Sequence, residues 1–295
     1  MGYLFLLIAL FCGVTKGYCG KRIGGYAENV QSATVVNLVR MLLCILFSLI
    51  IILVTGDISK LSFDPYLIGI SALSGVSTSV FVITWLIAVK KSAYMMLDVF
   101  LMTGILIPVV AGQFLFLEPV TPRQWIGFFI LLVAVILMCS YNNKIKTKLS
   151  LSSLLILLLS GIANGILSVS QKLFAYDVSG VPTSVFNLYT YVFASVTLAV
   201  FFLIIARKEK PRFEAGKTKT AFVYIGIMAA ALTANSLFRT MAAFHLDSAI
   251  LYPLEQGSAL ILSSLMASIF FGEKLTLKAI LGIIIAFSAL MIITL

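Results

Sequence analysis

The chain has 295 residues, 61% of them hydrophobic and only 11% charged, with a mean hydropathy of +1.12 and a formal net charge of +10. Soluble proteins carry about a quarter charged residues, so the composition excludes water as the main solvent and makes a lipid bilayer the expected partner. Nucleic acid is not the expected partner, because the basic residues sit in short connectors between apolar runs, where they read as a topology signal.

A bilayer core about 30 Å thick takes roughly 20 apolar residues per helix. Ten such runs follow one another, near residues 3–20, 33–55, 66–89, 93–117, 122–141, 150–173, 183–206, 220–244, 248–271 and 276–295. They are continuous rather than alternating in hydrophobicity, which argues against a β-barrel.

The first run lacks a basic leading region and a small-x-small cleavage site, so it reads as a retained helix. It carries Gly13, Lys16 and Gly17. Lys16 either snorkels to the face holding Lys21 and Arg22 or presents its ammonium to a cavity. The second run contains Asn37 and, about 10 Å from its start at about 1.5 Å per residue, Arg40.

The third run holds Ser71, Gly75, Ser79 and Trp85; the fourth holds Tyr94 and Asp98. Asp98 lies at a depth similar to that of Arg40, counted from the same face, so the two can pair. Trp85 lies near that depth and is a cavity candidate, whereas Trp125 opens the fifth run at the interface. The sixth run brings Gly161, Asn164 and Gly165, and the seventh Asn187 and Tyr189. A basic connector, 207–220, precedes the eighth run with Ala230, Ala234, Asn235 and Arg239, and the ninth begins with Tyr252, Pro253 and Glu255. Arg239 and Glu255 repeat, at the opposite face, the relation of Arg40 to Asp98.

Intramembrane charges cost roughly 2.5–3.5 kcal/mol on insertion scales and need partners or a wet cavity. Either the two Arg–carboxylate pairs only neutralise each other and fix packing, or a carboxylate exchanges a proton or binds an amine while an arginine meets an anionic group. On the second reading Arg40→Ala and Glu255→Gln each abolish activity without blocking insertion. The amides Asn37, Asn164, Asn187 and Asn235 serve packing or substrate equally well. Residues spaced by four, such as Gly13 and Gly17, Gly161 and Gly165, or Ala230 and Ala234, allow helices to approach closely.

The chain also repeats itself. A shift of 155 positions aligns Phe116, Glu118, Thr121, Gly127 and Ala134 with Phe271, Glu273, Thr276, Gly282 and Ala289. A shift of 150 aligns Thr34-Val35-Val36-Asn37-Leu38 with Ser184-Val185-Phe186-Asn187-Leu188. The two halves are thus 1–142 and 149–295, five runs each. Glu118 and Glu273 fall in connectors, where the Thr that follows can cap the next helix.

An odd number of spans per half inverts the second half. Connector 1-2 has Lys21 and Arg22 while its counterpart 6-7 offers only Lys172; connector 2-3 is balanced while 7-8 is strongly basic. Equivalent loops carry opposite bias, as an inverted repeat requires. With Lys144, Lys146 and Lys148 in connector 5-6, the charges place the odd-to-even connectors in the cytoplasm and both termini outside.

The ending Phe271-Gly272-Glu273-Lys274-Leu275-Thr276 with Gly282, its weaker copy at Phe116-Leu117-Glu118-Pro119, and Tyr252-Pro253-Leu254-Glu255 resemble the drug/metabolite transporter superfamily, EamA type. The resemblance covers essentially the whole chain. It implies an all-α membrane protein of ten transmembrane helices in two inverted five-helix repeats, a secondary transporter working by alternating access. It also implies cytoplasmic termini, opposite to the charge reading.

The expected function is transport, most simply efflux, of a small polar metabolite such as an amino acid, driven by a proton or by exchange, at the plasma membrane. The site expected from the residues is Arg40, Trp85, Asp98, Asn187, Asn235, Arg239, Tyr252 and Glu255. No nucleotide-binding motif is present. Cys12, Cys19, Cys44 and Cys139 have no metal-type spacing and His245 stands alone, so neither a metal nor another cofactor is expected. A cavity fits within one chain, so a monomer suffices, with a homodimer as the other option. The alternatives are a membrane-embedded enzyme acting on lipid-linked substrates and a non-transporting scaffold.

Overall fold

A computed structural model describes residues 1–24, 29–90, 101, 104–139, 151–178, 180–206, 210–211, 218–271 and 277–294. Among them the chain forms α1 (Gly2–Gly24), α2 (Val30–Thr55), α3 (Pro65–Lys90), α4 (Leu106–Leu115), α5 (Pro122–Cys139), α6 (Leu151–Asp177), α7 (Thr183–Ala206), α8 (Thr218–Ala243), α9 (Ser248–Phe271) and α10 (Leu277–Thr294), with one 3-10 turn at Asp57–Lys60. Six of these helices are long and apolar enough to cross a membrane among the described residues. The protein is an integral multi-pass α-helical membrane protein.

Local chemistry sets the helix ends. Asn29 accepts the Ser32 N–H at 2.8 Å and starts α2 three residues before the apolar run does. Gly56 ends it with φ 73°, sending its N–H back to Ile52 and Leu53. Just beyond, Asp57 accepts from Thr55 at 2.7 Å and pairs with Lys60 at 2.8 Å. The expected Thr cap is present at α5: Thr121 Oγ1 accepts the Gln124 N–H at 3.2 Å and Gln124 Oε1 accepts the Thr121 N–H at 2.9 Å. This reciprocal capping box satisfies two helix-start donors.

The chain divides into two compact units, Met1–Ile83 with Ser170–Phe244, and Thr84–Val169 with His245–Leu295. Each draws helices from both halves of the sequence. In the first, α1 lies along α8, and α2 packs against α7 and α8. Its core includes Ile52, Leu67, Phe174, Val185 and Phe186, the two phenylalanine rings stacked 4.4 Å apart. Large apolar side chains such as Leu42, Leu46, Leu53, Val196, Val200 and Leu203 stay exposed on α2 and α7. A bilayer, not water, is the solvent that accepts such a surface.

In the second unit α5 lies along α10, and α9 packs on α10 and α4. The small residues expected to mediate close approach do so in part. Gly104 fits against Gly161 and Gly165, where an added Cβ at Gly104 would lie 2.8 Å from the Gly161 carbonyl carbon and one at Gly165 would lie 2.6 Å from Gly104 O. In the first unit, a Cβ at Gly75 would lie 2.5 Å from Thr190 O. Gly17, by contrast, has nothing within 4 Å, and Ala230 is exposed. Neither forms the contact its spacing predicted, because spacing fixes a shared face but not what covers it.

Lys172 requires a second correction. It is not a connector charge: α6 continues to Asp177, and buried Lys172 donates from Nζ to Ala243 O at 3.1 Å. A cation there complements the exposed carbonyls that close α8. The connector after α6 thereby loses the one base assigned to it, and the charge asymmetry between the halves grows.

Candidate functional site

The first unit holds a buried polar network inside otherwise apolar helices. Ser236 on α8 donates to Asn187 Oδ1 on α7 at 2.9 Å and accepts from Gln171 Nε2 on α6 at 3.3 Å. One turn beyond Asn187, Tyr191 donates to Leu232 O at 3.4 Å, with Thr233 and Ser236 as side-chain neighbours. Asn235 faces the other way: its Nδ2 donates to Ala9 O of α1 at 2.7 Å, and its Oδ1 accepts from Lys16 Nζ at 3.4 Å. Lys16 thus turns toward α8 rather than only snorkelling outward.

Arg40 sits beside this network. With α2 starting at Val30, it lies ten residues, about 15 Å, into the helix, farther from the helix end than the apolar run suggested. It is 8% exposed, with Cys44 and Tyr191 among its described neighbours. Its Nη1 reaches Met228 Sδ at 3.7 Å, a weak acceptor, and its Nε has none. The described acidic residues of this unit, Asp57, Asp64 and Asp177, all stand at helix ends. Asn187 Nδ2 and Gln171 Oε1 are likewise buried without a hydrogen-bond partner. A polar group buried with no partner is destabilising by about 1–3 kcal/mol, and such atoms together mark a place for a polar guest.

Of the residues expected from the sequence, Arg40, Asn187 and Asn235 join this arrangement. Arg239 is buried one turn from the end of α8. Asp98, Tyr94 and the side chain of Trp85 lie outside the described residues. Tyr252 and Glu255 belong to the second unit, both buried on α9; Tyr252 donates to Ser168 O at 2.7 Å. Asn37 is turned back on its own helix, donating to Ala33 O at 2.8 Å. Tyr189 reaches Ser62 O in a connector at 3.0 Å, as an interfacial anchor does.

Sequence reasoning missed Gln171, Tyr191 and Ser236. Tyr191 stands four residues after Asn187, and Ser236 beside Asn235. Helical spacing from the asparagines was the signal that would have found them.

A multi-pass helical membrane protein with a polar site inside its spans is the class that this architecture defines. The model of the EamA-like transporter family, part of the drug/metabolite transporter superfamily, matches residues 151–295, so the second half of the chain is similar to that family. Members of the family are membrane transporters rather than enzymes. One solved structure, a crystal structure of a protein, is similar over 99% of this chain and 96% of its own, with a TM-score of 0.76 at 16% identity. At that identity the likeness concerns the fold alone. No curated protein matches the chain.

Proposed function

We propose that the protein is a secondary transporter that exports a small polar metabolite, amino-acid-like in size, across the plasma membrane by alternating access. The observation that carries the reading is the buried Gln171–Ser236–Asn187 relay, which ends in an amide nitrogen and an amide oxygen without protein partners. Packing alone favours relays whose ends are closed. Open ends suit a guest that brings its own donor and acceptor.

The architecture proposed with it is ten transmembrane helices in two inverted repeats, 1–142 and 149–295. The packing of α2 on α7 and of α5 on α10 supports it, since these are the helices that the duplication equates. Coupling to a proton or to an exchanged substrate completes the scheme, with intramembrane carboxylates such as Glu255 and Asp98 as the candidate carriers.

Purified protein in liposomes, loaded with labelled small polar metabolites, tests the reading. Flux that requires a proton gradient or a counter-substrate is expected. Absence of flux across a broad panel, from protein shown to be folded, removes it.

A further inference from the structure

We infer that the transported compound carries a carboxylate, received by Arg40. This rests on the transport reading above and adds the charge of the substrate to it. Three observations converge. Arg40 is more than nine-tenths buried, its Nε has no acceptor, and its described protein contacts include no carboxylate. A buried guanidinium, in a unit whose described acids all lie at helix ends, leaves a positive charge that an anion would neutralise.

The geometry favours a carboxylate on a small soluble molecule over a lipid headgroup. Arg40 lies about 15 Å along α2 and is buried against Met228 of α8, whereas headgroups stay at the surface. A guanidinium offers Nε and Nη in a planar fork matched to two carboxylate oxygens. From there Tyr191 leads to Ser236 and Asn187, whose free amide nitrogen suits an acceptor elsewhere on the same molecule. The class is therefore a small carboxylic acid with a hydrogen-bonding group at its other end.

The test uses the full chain in neutral phosphatidylcholine nanodiscs. A panel of small mono- and dicarboxylic acids and amino acids is set beside the matching primary amides, with binding read by ligand-dependent thermal stabilisation. Wild-type protein is expected to be stabilised by at least one acid and not by its amide. Arg40→Gln is expected to weaken acid binding roughly 10- to 100-fold, and Arg40→Lys by less, since it keeps charge and loses the fork. If Arg40→Gln does not fold, Arg40→Lys and Tyr191→Phe carry the comparison.

Amides binding as well as acids, or acid binding unaffected in every folded variant, overturns the inference. So does a wild-type protein that no acid stabilises. Restoration of Arg40→Gln by adding Asp98→Asn would overturn it too, because Arg40 would then serve to neutralise that aspartate. Liposome flux of uncharged or cationic compounds alone would leave the transporter reading standing and remove only the carboxylate.

Discussion

The Glu118 carboxylate accepts the backbone N–H of Ser248, the first residue of α9, at 2.7 Å. Its own N–H returns to Gly112 O at 3.0 Å, and the preceding Leu117 adopts φ 55° to allow that turn. The acidic residue of the duplicated motif is thus a cap for a helix 130 positions away in the chain. Glu118→Ala is expected to be destabilising by about 1–2 kcal/mol and Glu118→Gln by less, because an amide oxygen still accepts. Denaturation in detergent measures both. An unchanged midpoint in Glu118→Ala would show the cap to be idle.

Two glycines are predicted to behave oppositely. Gly104→Ala pushes a methyl into the Gly161 backbone, which no rotamer change relieves, and is expected to destabilise by about 1–3 kcal/mol. Gly17→Ala meets nothing within 4 Å and is expected to be neutral or stabilising by up to about 1 kcal/mol. The difference between the two thermal midpoints is the readout.

Asn187→Ala and Gln171→Ala separate packing from function. Interhelical hydrogen bonds in membranes average only about 0.6 kcal/mol, so folding should suffer little. Transport in liposomes is expected to fall more than about tenfold, the factor that corresponds to one lost polar contact of roughly 1.4 kcal/mol. Equal small losses in stability and flux would make the relay a packing element.

The orientation is open to a direct measurement. With Lys172 committed to α8, the connector after α6, 178–182, carries no charged residue, and the basic stretches 21–22 and 207–220 share one side by parity. A reporter fused after Leu295 is expected outside the cytoplasm. A cytoplasmic signal would show that the family's usual orientation overrides the loop charges.

Acid should loosen one connector. The Lys60 ammonium, helped by the Thr55 hydroxyl, holds the Asp57 carboxyl below its ordinary range. Because the folded value is lowered, the contribution is full above the unfolded value and is lost as pH falls through the folded one. Amide exchange at Leu61, whose N–H bonds to Ile58 O at 3.2 Å, is expected to speed up in acid after correction for intrinsic rates. In Asp57→Asn that pH dependence should vanish.

Much of the fold was legible because hydropathy alone delimits a membrane helix. The run 183–206 became Thr183–Ala206, and 248–271 became Ser248–Phe271. Errors arose where polar residues belong to helices: α2 starts earlier because Asn29 caps it, and α6 runs past Lys172 because its ammonium finds the end of α8. The site was half visible. Rare residues such as Arg40 and Asn187 stand out in apolar sequence, whereas Gln171 and Ser236 acquire meaning only from the three helices that bring them together.

Both compact units interleave the two halves of the chain, and this bears on how the protein is made. The helices up to Ile83 cannot complete their unit before Ser170 and the residues after it emerge. At a synthesis rate of about 5–20 residues per second, those helices wait roughly 4–17 s in the membrane. Throughout that interval the faces of Asn37, Arg40 and Ser71 confront lipid or the insertion machinery instead of their final neighbours. A nascent chain of this design is most vulnerable to misassembly and quality-control degradation at its midpoint, after five helices, when neither unit can yet close.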